Sequence, residues 1–365
     1  MLNRTIHAMK RLQKKLEKIG GNPKITAKAV GLRYSLNTDK GYFRKRKASS
    51  FTYIDEAGHT VKDKDTLERI KKLVIPPAWE NVWISPFENG HLQVTGTDVR
   101  GRKQYRYHPQ WNKIRNQSKF FRLRRFAVAL PEIRKQVNKD LSRRGLPYEK
   151  VVALVVKLIE MTNIRIGNDA YKKLYGSFGL TTLRDKHVKF NGATVLFEFI
   201  GKKGIKHKIK LQSRRMAGLV KKCKDIPGQE LFQYYDDEGK HHSIGSGDVN
   251  AYIKNITGED FTAKDFRAWA GSLNALCSFL DVGSFSSESD CKRKIVSVID
   301  SVAVKLGNTR TVCKKYYIHP TVIATYEKGH IEKYKAGRSG SEEFNANEKA
   351  LLKLLTTEDI AEVIA

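Results

Sequence analysis

Apolar and polar positions divide this 365-residue chain into stretches with different periods. From residue 33 to 112 apolar residues come in short alternating runs. "SFTYIDEAGHTV" alternates on both sides of an acidic turn that carries a glycine. "VIPPAWENVWISPFENGHLQVTGTDVRGRKQYRYHP" reads as short strands broken at Pro-Pro, Asn-Gly and Arg-Gly. Asn89-Gly90 predicts a hairpin turn. "TLERIKKLVIPP" predicts one short helix stopped by Pro76. From about residue 120 helices dominate, and "YEKVVALVVKLIEMT" spaces apolar residues three and four apart, as a buried helix stripe does. Period two returns in "TTLRDKHVKFNGATVLFEFIGKKGIKHKIKLQ", residues 181–212. This segment predicts three antiparallel strands turning at Asn191-Gly192 and at Gly201–Gly204. In the third, Ile205, His207, Ile209 and Leu211 share one face, and Lys206, Lys208 and Lys210 the other. Helices resume near residue 246, and Thr262 with Asp265 predicts the capped start of "AKDFRAWAGSLNALCSFL". "GSFSSESD", 283–290, predicts a mobile loop, and "SEEFNANEKALLKLLTTEDIAEVIA" predicts one or two amphipathic helices.

The predicted fold class is therefore α+β. A basic N-terminal extension (1–32) precedes a small antiparallel β-rich domain (33–112). A larger, mainly helical domain carrying the three-stranded sheet follows (113–340), then a helical tail (341–365) to which the sequence assigns no role.

Charge narrows the function. Lys and Arg number 69 against 38 Asp and Glu, a net +31 spread from end to end. Such self-repulsion implies a polyanionic partner. No apolar run is long enough to span a bilayer. The opening "MLNRTIHAMKRLQKKLEKIG" is basic and amphipathic without the apolar centre of a signal peptide. It fits a lipid surface, a phosphate-tracking arm or a solvated helix. Cys223, Cys277, Cys291 and Cys313 form neither CxxC pairs nor a disulfide framework, which fits a reducing cytosol. There is no P-loop, HExxH, EF-hand loop or clustered DxD, so neither nucleotide nor metal cofactor is expected. His241-His242 reads as loop surface.

"TRTVCKKYYIHPTVI", 309–323, places Tyr316 and Tyr317 between a lysine pair and His-Pro. A phenol, pKa about 10, attacks a phosphodiester only with help. Guanidinium groups suit the charge gathered on the non-bridging oxygens. A lysine ammonium can protonate the departing sugar oxygen. The chain offers Arg165 in "NIRIGN", where one helix breaks and another begins and a helix start presents free amides. It offers Lys202 at the GKKG hairpin tip, Arg267 in the first turns of the helix Thr262 opens, and Asn308 nine residues before Tyr317. Each alone reads as an ordinary surface cation, helix cap or packing aromatic.

Their order and flanking text resemble the type IB DNA topoisomerases, in the branch shared by bacteria and poxviruses, from about residue 33 to 325. "GRKQYRYHP" resembles the end of that family's N-terminal domain. "RIGN" with "TTLRDKHV" resembles the segment of the first catalytic arginine, "FIGKKGIKH" the lysine hairpin, "AKDFRAWAG" the segment of the second arginine, and "LGNTRTVCKKYYIHP" the nucleophile segment. The resemblance implies Tyr317 as nucleophile, Tyr316 as a packing residue, and Arg165, Lys202, Arg267 and Asn308 as its catalytic partners. Asn308 stands where many relatives carry histidine, so one titratable cation is lost there. Tyr105, Tyr107 and Tyr171 match positions that touch DNA, and Arg102 and Lys103 flank them. The family also implies a two-domain, C-shaped clamp on double-stranded DNA. A monomer is expected, cytoplasmic and on the nucleoid if the source is bacterial.

Two other readings fit part of the pattern. A tyrosine recombinase uses a similar set but usually places histidine three residues before the second arginine, where this chain has Lys264. A non-catalytic DNA-coating protein needs the charge alone.

Overall fold

A computed structural model describes residues 22–358, apart from 48–49, 229, 338–339 and 342 and the side chains of 113, 116–121 and 171. The basic opening stretch and the final seven residues of the tail lie outside the described residues. The chain divides into two compact units, one ending at Phe121 and one beginning at Arg122.

The first unit is built on a five-stranded antiparallel sheet, ordered β2-β1-β3-β4-β5. Its strands are β1 (Tyr42–Lys47), β2 (Ser50–Ile54), β3 (Glu80–Ile84), β4 (Leu92–Thr97) and β5 (Lys103–Tyr107), preceded by helix α1 (Pro23–Ala29). Helix α2 (Lys64–Lys72) lies between β2 and β3, and the Asp63 carboxylate caps it by accepting from the Thr66 amide at 2.8 Å. Ile70 of α2 packs on Val82, Ile84 and Val94 of the sheet, a small core sealed by Tyr42, Tyr53 and Trp79. Asn89-Gly90 does not make a two-residue turn. The β3–β4 connection runs from 85 to 91, because the buried Gln93 amide donates to the carbonyls of Phe87, Glu88 and Gly90 at 3.1, 2.9 and 2.7 Å. A side chain that collects three carbonyls widens the loop beyond what local turn chemistry would set.

The second unit forms around α4 (Tyr148–Thr162). Val151–Val156, Leu158 and Ile159 are all buried. A helix covered on every side needs no polar face. It packs against α6 (Arg214–Lys224), α7 (Ser246–Thr257), α8 (Ala263–Val282) and β8 (Lys206–Gln212). The second half of α3 (Pro109–Leu141) adds Leu123, Phe126, Leu130 and Ile133 to the same core.

The three-stranded sheet is ordered β6 (Val188–Asn191), β7 (Thr194–Ile200), β8. Phe199 pairs with His207 across β7 and β8, and β8 alternates as expected, with its lysines exposed. The sheet is shorter than predicted. Residues 181–187 fold mainly as two tight turns, Leu180–Thr182 and Asp185–His187, and the first strand starts only at Val188. Helices also resume earlier than 246. Ser213 caps α6, whose apolar positions Met216, Ala217, Leu219, Val220 and Cys223 are hidden in the sequence by five flanking cations. A small hairpin, β9 (Gln233–Tyr235) and β10 (His241–Ser243), intervenes before α7. His241 and His242 are exposed there, so they are surface but strand rather than loop.

The predicted mobile loop at 283–290 is a shorter link. Ser287 caps α9 (Glu288–Leu306), so Glu288–Asp290 form its first turn. Then come α10 (Arg310–Tyr316), α11 (Pro320–Glu327) and α12 (Ala346–Thr357). The tail helix is fastened to the core. The buried Glu348 carboxylate accepts from both terminal nitrogens of Arg134, at 2.8 and 2.7 Å, and from Trp269 Nε1 at 3.0 Å. No helix among the described residues is long and apolar enough to cross a membrane.

Candidate active site

Four segments far apart in sequence converge in the second unit. Helix α4 stops because Asn163 takes a left-handed conformation, φ 56°, which turns the chain and aims Arg165 back across the helix end. The Arg165–Ile166 backbone is pinned by Leu180 and Thr181, whose amides donate to their carbonyls at 2.8 and 2.7 Å. Helix α5 (Asp169–Tyr175) begins four residues later, so Arg165 lies at the junction where one helix breaks before another begins, as the sequence predicts.

Thr262 and Asp265 cap α8 reciprocally, as predicted, the Thr262 amide donating to Asp265 at 2.8 Å. One turn inside, Arg267 is 3 % exposed. It donates to the Leu306 carbonyl at 2.8 Å and to the Asn163 carbonyl. Its guanidinium carbon lies 5.1 Å from the centre of the Tyr317 ring. A further turn along the same helix, Gly271 lies against the Tyr317 backbone, and the Ser272 hydroxyl donates to the Tyr317 carbonyl at 3.2 Å and accepts from the His319 amide at 2.9 Å. Tyr317 is therefore held by the helix that carries Arg267.

Helix α9 ends at Gly307 in the left-handed region, φ 57°, and the Asn308 amide closes the cap on Ala303 at 2.9 Å. The Asn308 side chain is engaged as well. Its oxygen accepts from Arg165, which also donates to the Gly307 carbonyl at 2.9 Å, and its amide nitrogen donates to the Leu306 carbonyl at 3.2 Å. Arg165 completes the group, close enough to the Tyr317 side chain for the phenol to act on its charge. Tyr317 is buried, while its neighbour Tyr316 packs half-buried against the core with the Lys315 ammonium 5.5 Å over its ring.

The electrostatics are lopsided. A cavity of about 340 Å³ is lined by Arg165, Arg267, Lys206, Lys208 and Lys305, together with His207 and Asn308, and by no carboxylate. Burial, and then the charge of Arg267, hold the Arg165 guanidinium below its ordinary range, against opposing contributions from Tyr317 and Cys313. His207 is likewise held low by burial, then by Arg165 and Arg267. Among the described residues, the partners of the two guanidiniums are carbonyl dipoles, the Asn308 amide and a phenol, with no anion among them. A buried cation pair without a counterion is costly. A bound phosphate would supply the missing charge in the bidentate geometry that guanidinium favours.

Comparison with known proteins shows the family. Residues 108–343 match the family model described as the catalytic core of eukaryotic DNA topoisomerase I, and residues 50–98 match that of the N-terminal domain of bacterial DNA topoisomerase IB. The chain is 31 % identical over 296 residues to a DNA topoisomerase 1B of Acanthamoeba polyphaga mimivirus, covering 79 % of this chain and 88 % of the viral one. The chain belongs to the type IB DNA topoisomerases. A topoisomerase 1B of Vaccinia virus is 24 % identical over 234 residues, covering 64 % of this chain and 71 % of its own. A topoisomerase 1 of Mycosarcoma maydis is 26 % identical over 222 residues, 54 % of this chain and 22 % of its own.

The other residues that the sequence of this topoisomerase marks as candidates lie outside this cluster. Lys202 is exposed in the turn Lys202–Gly204 at the tip of the β7–β8 hairpin, where Lys203 adopts φ 65°. In the first unit, Tyr105 is 48 % exposed and stacks on Tyr107 at 6.1 Å, with the Lys103 ammonium 5.8 Å over Tyr105 and Arg115 5.7 Å from Tyr107. Lys103 also donates to Asn37 at 3.1 Å. Arg102 turns back onto Asp98, Nε to carboxylate at 2.7 Å, and braces the β4–β5 turn; this hydrogen bond, ahead of opposing desolvation, holds the Asp98 carboxyl down at about 2. The Tyr171 side chain lies outside the described residues. Three residues that sequence reasoning did not single out also belong here: Gly271, Ser272 and His207. For His207 the period-two pattern placed it on the inner face of β8, a signal that an interior histidine needs explaining. Nothing local marks Gly271 or Ser272.

Proposed function

We propose that this topoisomerase relaxes supercoiled double-stranded DNA by transient cleavage of one strand, with Tyr317 as nucleophile and without ATP. The Tyr317 oxygen attacks the scissile phosphorus and loses its proton as the new bond forms. The bond to the 5′ sugar oxygen breaks, and Lys202 supplies that oxygen with a proton. The products are a 3′-phosphotyrosyl link and a free 5′-hydroxyl. The downstream end rotates, and the hydroxyl then attacks the link and restores the strand. The covalent intermediate keeps the energy of the broken phosphodiester, so resealing needs no nucleotide.

Arg165 and Arg267 stabilise the pentavalent phosphate, and Asn308 holds Arg165 in register while its amide faces the same oxygens. Loss of one such donor raises the barrier by about 3 kcal/mol. Tyr105, Tyr107, Tyr171, Lys103 and Arg102 contact the duplex, setting register more than reading bases. The enzyme acts as a monomer in the cytoplasm, on the nucleoid if its source is bacterial.

The observation that carries this reading is the meeting of two guanidiniums near one phenol, the half-buried Arg165 and the buried Arg267, the latter 5.1 Å from the ring, beside a cavity that both arginines line and whose charged residues are all cations. The test is relaxation of a plasmid without any special site, in chelator and without ATP, by wild type, Tyr316→Phe and Tyr317→Phe. Wild type and Tyr316→Phe should relax it and leave a protein–DNA adduct on detergent quench. Activity or adduct from Tyr317→Phe would refute the assignment. Failure of wild type on such a plasmid would favour a recombinase.

A further inference from the structure

At the tip of the lysine hairpin, His207 lies between the hairpin and the Gly307–Asn308 turn. Its imidazole stacks on Phe199, its cross-strand partner, at 4.9 Å and 20°. One edge of the ring lies against Gly201, the residue before Lys202; a Cβ on Gly201 would come within 2.6 Å of both Cδ2 and Nε2. The opposite edge lies against Gly307, the residue before Asn308, where a Cβ would run into Cε1. The ring thus fills a slot made by two missing side chains, one next to Lys202 and one next to Asn308. Among the described residues it makes no hydrogen bond, so the fit is one of shape.

We propose that His207 is a positioning residue for Lys202: its ring wedges the hairpin tip against the Gly307–Asn308 turn and so sets the distance from the Lys202 ammonium to the departing 5′ oxygen. The inference rests on the reading of Lys202 as general acid. The hairpin tip itself is exposed, and Gly201 closes it through two backbone hydrogen bonds, its amide donating to Ile205 at 2.7 Å and its carbonyl accepting from Gly204 at 3.1 Å. Removing the ring would leave a ring-sized gap between the two glycines it touches. Proton delivery depends on reach of a few tenths of an ångström, and misplacement by about 1 Å can cost about 10²-fold.

The experiment separates proton delivery from every other step. Single-turnover covalent trapping is measured on two duplexes, one with an ordinary scissile phosphodiester and one with sulfur in place of the 5′ bridging oxygen. The sulfur leaves as a thiolate, carrying the electron pair of the broken P–S bond. With thiol pKa values near 8.5 it needs no proton. Wild type, Lys202→Ala, His207→Ala and His207→Phe are compared, and the ratio of the two rates in one preparation does not depend on the fraction that folds. His207→Ala should cleave the ordinary duplex about 10²-fold more slowly than wild type and the sulfur duplex within about fivefold. His207→Phe, which keeps a flat ring in the slot, should recover part of the loss on the ordinary duplex.

If Lys202→Ala is rescued by sulfur and His207→Ala is slowed equally on both duplexes, His207 serves the fold alone and the inference is overturned. A His207→Ala enzyme within twofold of wild type on the ordinary duplex overturns it as well. If Lys202→Ala is itself not rescued, the general-acid reading fails, and this inference with it.

Discussion

Gly271 is the position where catalysis should respond far more than fold stability. An alanine Cβ there would sit 2.7 Å from the Tyr317 carbonyl oxygen and 3.0 Å from its Cβ. Ordinary contact begins at 3.4 Å, so the two backbones must separate by 3.4 minus 2.7, or 0.7 Å. The contacting atoms are main chain and Cβ, which cannot rotate away. Arg267 lies one turn back on the same helix, so the displacement falls between the Arg267 guanidinium and the phenol. A shift of that size predicts cleavage 10- to about 10²-fold slower, or about 1.4–2.7 kcal/mol of barrier. Helix propensity acts the other way, since alanine inside a helix is favoured over glycine by about 1 kcal/mol. Gly271→Ala should therefore unfold close to the wild-type temperature while its trapping rate falls. Rapid-quench formation of the adduct on a suicide duplex, with thermal unfolding of the same sample, measures both. A variant that cleaves within twofold of wild type would refute the claim that α8 sets the position of Tyr317.

Ser272→Ala leaves the buried Tyr317 carbonyl and His319 amide without the bridging hydroxyl. It should cost about 1–3 kcal/mol of stability in urea unfolding and also slow adduct formation; an unchanged unfolding midpoint would contradict this. Glu348→Ala strands the buried Arg134, leaving it Glu160 alone of its two carboxylates. About 3 kcal/mol should be lost, a fall of about 6–12 °C in unfolding temperature for a domain of this size. An unshifted melt would show that the tail helix does not need this pair. His91, His187 and His207 are all held below the ordinary imidazole value of 6.5, each chiefly by burial. The unfolded chain therefore binds more protons than the folded one below about pH 6.5, so stability should fall as pH drops through that point. Equal urea midpoints at pH 7.5 and 5.5 would refute it.

The site was legible in the sequence as a set of residue types in order, and much less as geometry. Arg165, Arg267, Asn308 and Tyr317 could be named from their flanking text, and the structure brings those four together. The Thr262–Asp265 cap and the alternation of β8 were equally readable, because each depends on neighbours within a few residues. The errors came where distant groups override local preference. Gln93 opens the Asn89-Gly90 turn by collecting three carbonyls. Helix α6 was missed because its apolar stripe is interleaved with lysines and arginines. Arg165 lies, as expected, at the junction where one helix breaks before another begins, and the left-handed Asn163 makes that break.

By itself the sequence determined the period of most elements, the excess of cations and the order of the residues proposed to attack and neutralise a phosphodiester. These are properties of residues and their near neighbours, and they do not change when the chain is extended. Only the tertiary structure decided which tyrosine is gripped by both arginines, that the guanidiniums meet across a cavity without a carboxylate, and that Gly201 and Gly307 make room for one imidazole between them. Those facts depend on the distances between segments up to about 150 residues apart, and such distances are set by how the core packs around α4.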